Sequence, residues 1–148
     1  MAIARGAGTE IIRTHLFEDV AASVQKLIIG EQHHIYTVLS VICHCNARSG
    51  SENGMLRLYG YDALGGTTAS IHKIFVCPTP QNETYVWNDK FSFNGYEPTN
   101  FTGPMDDTTK QNAIADQGSS VAQYLSFQTD SNSTEYDVII TFIDQNNA

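Results

Sequence analysis

The sequence predicts an all-β protein, a two-sheet antiparallel β-sandwich or jelly roll of about eight strands. Three observations predict it. Short apolar segments are separated by clusters of Gly, Pro, Asn and Ser, the punctuation of strands and turns. The segment "HIYTVLSVICHC" at 34–45 alternates in a way that fits a strand and not a helix. No heptad, internal repeat or long amphipathic helical pattern competes with these signals. Strands of roughly 6 to 10 residues bury their apolar faces by packing as two sheets. A small barrel is a second way to close them, and strand order stays open.

The elements follow in order. Residues 1–10 are small and Gly-containing and offer little to bury, so they are expected to form a flexible N-terminal arm on a single domain of residues 11–148. "EIIRTHLFEDV" is the first strand, and "QKLIIG" follows, ending at Gly30. In the strand at 34–45, Ile35, Thr37, Leu39, Val41, Cys43 and Cys45 share one face, which is assigned to the core. His34 and His44 are expected on the outer face. "NARSGSENG" is turn-rich, and "MLRLYGYDA" carries Leu56 and Leu58 on one side. "LGGTT" reads as a hairpin turn and "SIHKIFVC" as the strand after it. "TYVWNDKFSF" sets Tyr85, Trp87, Phe91 and Phe93 in one alternating register and supplies the aromatic part of the core. Residues 94–118 read as a long loop, and such loops are usually functional or mobile. "SVAQYLSFQT", with Val121, Leu125 and Phe127 inward, and "EYDVIITFID" close the chain.

Composition removes several function classes. The chain has 148 residues, of which 16 are Asp or Glu and 8 are Lys or Arg, for a net charge of -8. Such a balance opposes phosphate backbones and anionic lipid, so neither nucleic acid nor membrane is an expected partner. No apolar run reaches the roughly 20 residues of a spanning helix. "MAIARGAGTE" has no apolar core of a signal peptide, so synthesis in a reducing cytosol is expected. Three Asn-x-Ser/Thr sequons begin at Asn82, Asn100 and Asn132, and they matter only in a secretory pathway.

The chemistry-bearing candidates are few. His34, Cys43, His44 and Cys45 lie within twelve residues, but the thiols sit on one strand face and the imidazoles on the other. A closed zinc site needs four converging ligands, and Cys77 is a lone third thiol. Buried free thiols on a central strand are the simpler reading. No Gly-x-Ser-x-Gly elbow, phosphate loop or GxGxxG turn is present. The carboxylate pairs Glu18–Asp19 and Asp106–Asp107 are chain neighbours, read as solvated charges, and no EF-hand pattern gives the second pair a calcium site. No catalytic, cofactor-binding or metal-binding residue is assigned, and no cofactor or small-molecule substrate is expected. Interface candidates are Ile3 and Arg5 in the arm, with Tyr96, Phe101 and Met105 in the long loop, because aromatic and long apolar side chains anchor interfaces.

The run of "LIIGEQHHIYTVLSVICHCNA", "GMLRLYGYDA", "IFVCPTPQNETYVWNDKFSFNG", "SSVAQYLSFQ" and "DVIITFIDQN" resembles, in layout over residues 10–144, the small β-sandwich virion proteins of tailed bacteriophages. That resemblance implies a non-enzymatic capsid decoration or cement protein. It implies a protein made in the host cytoplasm that binds the major capsid protein or other virion proteins, as a homo-oligomer, and resides in the virion. A neck, tail or fibre component is the sister reading. A carbohydrate-binding sandwich using Trp87, Tyr85, Tyr59 and Tyr61, and a jelly-roll metalloenzyme, are the competing classes.

Overall fold

The computed structural model describes residues 8–61, 69–98, 108–109, 111–112 and 120–147. Eleven strands run through them: β1 (Thr9–Val20), β2 (Gln25–Ile29), β3 (His34–Ala47), β4 (Gly54–Tyr61), β5 (Ala69–Cys77), β6 (Thr84–Trp87), β7 (Phe91–Asn94), β8 (Tyr96–Pro98), β9 (Ser120–Ala122), β10 (Tyr124–Thr129) and β11 (Glu135–Asn146). One sheet, sheet A, has the order β1-β11-β3-β6, with β7 also on β3, and the other, sheet B, has the order β2-β10-β4-β5. A β8-β9 ribbon completes the set. All pairings are antiparallel. Early strands alternate with late ones inside each sheet, which is the jelly-roll winding. With β6 and β7 taken as one broken edge strand, and the β8-β9 ribbon set apart, the principal strands match the number expected from sequence.

The central ladder is β3 against β11. In β11 the buried positions are Tyr136, Val138, Ile140, Phe142 and Asp144, an unbroken alternation. β3 does not alternate throughout. Tyr36 and Val38 point inward, and then Val41, Cys43 and Cys45 do. The ladder explains the switch: Ser40 pairs with Thr141 and Val38 with Phe142, so Leu39 has no opposite residue. One extra residue in a strand forms a bulge and moves every later side chain to the other face. The sequence reading of an odd-numbered core face is therefore corrected for the first half of β3. Ile35, Thr37 and Leu39 are only half-buried. His34, expected outside, lies on the inward register of that half, whereas His44 does face outward, beside Thr84.

The core joins both sheets. Val38, Val41 and Cys43 from β3 meet Leu56 from β4, Phe75 and Cys77 from β5, and Leu125 and Phe127 from β10. The aromatic segment 84–93 is two strands and not one. Tyr85 and Trp87 of β6 pair with Cys43 and Val41, and Phe91 and Phe93 of β7 pair with Val38 and Tyr36. All four still pack on the core, with Phe93 the most buried. A second bulge, between Leu56 and Arg57 on the β4–β5 ladder, leaves Ile74 unopposed and packed on the core.

Residues 94–118, expected as loop, contain β8, and Thr108, Thr109, Gln111 and Asn112 are helical. Where β8 leaves β7, Gly95 and Gly30 come into direct contact. A Cβ on Gly30 would sit 2.0 Å from the Gly95 carbonyl oxygen, and one on Gly95 would sit 2.1 Å from that of Glu31. Only glycine permits this approach, and three 2.8 Å backbone hydrogen bonds cross it, from Gly30 to Gln123, from Gln123 to Gly95 and from Gly95 to His34.

Candidate functional site

A polar cluster closes one end of the sandwich. Arg13 on β1 lies 3.4 Å from the Asp144 carboxylate of β11, and His34 Nδ1 lies 2.7 Å from its other oxygen. His34 Nε2 faces Glu31 at 3.3 Å, and the Glu31 amide donates to the Tyr36 hydroxyl at 3.0 Å. Burial pushes the Tyr36 hydroxyl up to about 12, with the Asp144 and Glu31 charges adding to it against the hydrogen bond from the Glu31 amide. Both nitrogens of His34 are thus committed to carboxylates, and neither is left to activate a nucleophile. The cluster satisfies Asp144, which is nearly buried, and fastens β1, β11 and β3 together.

The thiols belong to the core. Cys43, Cys45 and Cys77 are free and buried. A hydrogen bond to Cys77, and then burial, push the Cys43 thiol far above its ordinary range, which makes it inert. The Tyr136 hydroxyl donates to the Cys77 carbonyl at 3.1 Å, tying the two sheets together beneath them. Among the described residues, no three His, Cys, Asp or Glu side chains converge as a metal site. Glu52 serves a loop: Ser131 and Thr134 hydroxyls each donate to it at 2.6 Å and hold its carboxyl below the usual range.

The surface carries the unusual feature. β1 is twelve residues long and ends the order of sheet A, so among the described residues its outer edge is unpaired. Ile12 is 70% exposed and Leu16 is 55% exposed. Leu16 pairs with Ile139, Ile139 with Ile42, and Ile42 with Val86, which is 56% exposed. These four residues form an apolar row across the whole solvent face of the sheet, with Ile12 and Ile143 paired two rows away. Strand-only patterning did not reveal this row, because it depends on register between four distant segments. The signal available in the sequence was the surplus of isoleucine at both parities, as in Ile139–Ile140 and Ile11–Ile12.

Of the interface residues anticipated, Tyr96 is half-buried in β8, opposite Ala122. Ile3, Arg5, Phe101 and Met105 lie outside the described residues. Of the sugar-stacking candidates, Tyr59 does not share a face with Tyr85 and Trp87, and the Tyr61 side chain lies outside the described residues. Tyr85 and Trp87 turn to the core, with Phe75 5.4 Å and 5.1 Å away. Tyr59 lies on the outer face of the other sheet, stacked on Tyr124 at 4.5 Å and 8°. Each of those two rings already covers one face of the other. The sequon asparagine Asn82 adopts a positive φ of 66° in the turn before β6.

No family model and no curated protein matches the chain. Among solved structures, a chain from Bacillus endospore appendages, described as forming "a novel family of disulfide-linked pili", aligns over 100% of this chain and 97% of its own length. The identity is 11% and the TM-score 0.45.

Proposed function

We propose that this protein is a non-enzymatic structural subunit that assembles with other protein subunits through sheet A. The observation that carries this is the unpaired edge of β1 joined to the apolar row Leu16–Ile139–Ile42–Val86. A long edge with exposed isoleucine and leucine can pair with another strand along the part that runs in unbroken register. Nine of the twelve β1 residues run in unbroken register, from Thr9 to Phe17, before the bulge beyond Phe17. The commitment of His34 to Asp144 and Glu31, and of the thiols to the core, supports the non-enzymatic part. The finer reading is a decoration or cement protein on a phage head, supported by the layout resemblance.

The test is the assembly state of the full chain by light scattering and electron microscopy, beside Ile12→Lys/Leu16→Lys. The reading expects concentration-dependent assemblies that the lysines dissolve without lowering the melting temperature. Co-sedimentation with tailed-phage heads tests the finer reading. A chain that stays monomeric and binds no shell ends both.

A further inference from the structure

The solvent face of the second sheet is built as the counterpart of the first. Across β2, β10, β4 and β5, Ile29 pairs with Tyr124, Tyr124 with Tyr59, and Tyr59 with Ile71. The two isoleucines at the ends of this row are about half exposed or more. Two residues along on β10, β4 and β5, and three on β2 because a bulge leaves Leu27 unopposed, Lys26 pairs with Ser126, Ser126 with Arg57, and Arg57 with Lys73. Both rows lie on the outer side, since Leu27, Ile28 and Leu125 between them are buried and Leu58 packs on the core; Ser126, in the second row, is itself covered. Lys26 sits 4.5 Å over the Tyr124 ring, and Arg57 is held by the Gln128 carboxamide. Three of the chain's 8 cationic side chains therefore stand in one row, and no acid lies on that face among the described strand residues.

The face of sheet A has the opposite sign. Beside its apolar row, two residues along, come Asp137, His44 and Thr84 in register, with Asp19 joined to Asp137 through Asn46. Glu10 lies at the far end of the same face, and no Lys or Arg lies on it among the described strand residues. Each face thus carries an apolar row four strands wide, about 14 Å, flanked about 7 Å away by a row of one charge sign.

We infer that the occupant of each face is the opposite face of a second copy of this chain, stacked so that the apolar rows meet and Lys26, Arg57 and Lys73 oppose Asp137 and Asp19. This rests on the assembly reading above and names the partner. The two surfaces differ, so the contact is head-to-tail and propagates into a ring or an open stack instead of stopping at a dimer. Opposed charges fix the orientation, because the reverse stacking sets like charges against each other.

The experiment uses two full-length variants, Lys26→Glu/Lys73→Glu and Asp19→Lys/Asp137→Lys, with circular dichroism as the folding control. Each variant alone should dissociate at least about tenfold more readily than the parent chain, and mixing them one to one should restore the large species. Raising salt from about 0.05 to 0.5 M should weaken the parent assembly. Should the Asp19/Asp137 variant fail to fold, Lys26→Glu/Lys73→Glu and the salt series decide. Parent assemblies that ignore both salt and the lysine reversals, yet dissolve in Ile12→Lys/Leu16→Lys, overturn face stacking and leave the assembly reading standing. A parent chain that stays monomeric overturns both.

Discussion

Asp144 and His34 are 110 residues apart in sequence and 2.7 Å apart across the β11–β3 ladder. The carboxylate can only accept, so the imidazole Nδ1–H donates. Asp144 is almost fully enclosed, whereas Arg13, its other partner, is 46% exposed along its side chain. Removing the carboxylate leaves Arg13 free to reach water and strands only the Nδ1 of His34, whose Nε2 keeps Glu31. The expected cost of Asp144→Ala is about 1 to 3 kcal/mol, below that of breaking a fully buried pair. Chemical denaturation of the variant checks it, and Asp144→Asn should recover part of the loss.

The β3 bulge makes a contrast between two leucines. Leu125 is fully buried, and Leu125→Ala should cost about 2 to 5 kcal/mol. Leu39 occupies the unopposed position and is half-buried, so Leu39→Ala should cost less than about 1.5 kcal/mol. Equal losses in the two would show that β3 alternates without interruption.

Trp87 is the chain's one tryptophan and lies partly buried on Phe75. Its emission should be blue-shifted in the native state and move red on unfolding. Its indole Nε1 is buried with no hydrogen-bond partner among the described residues. Trp87→Phe discards that unpaired donor while keeping an aromatic ring, and should change stability by less than about 1 kcal/mol. Trp87→Ala opens the contact with Phe75 and should cost about 2 to 4 kcal/mol.

Glu52 predicts part of the acid limb. Its carboxyl is held below the ordinary value of 4.5 by Ser131, then Thr134. A depressed folded-state value stabilises above 4.5, and the benefit is lost as pH falls through the lower folded value. Melting temperature should therefore drop below about pH 4.5, and Glu52→Gln should flatten that drop. An identical acid limb in the variant would remove Glu52 from the account.

The all-β class, most strand positions and the inward Leu125 and Phe127 of β10 were written in the sequence. Alternation is a local property, and it can be read from neighbours along one strand. Burial of the three cysteines was legible for the same reason. The bulge at Leu39 was not, because a residue left unopposed is defined by its partner strand, about 100 positions away in the chain. Partnering also made Asp144 a buried ion-pair centre, since nothing near it in sequence announces Arg13 or His34. The surface rows are the same case on a larger scale. Leu16, Ile42, Val86 and Ile139 come from four separated segments, as do Lys26, Arg57 and Lys73 from three. Each is an ordinary exposed residue in its own strand, and only the jelly-roll register aligns them into bands that another subunit would meet as one surface.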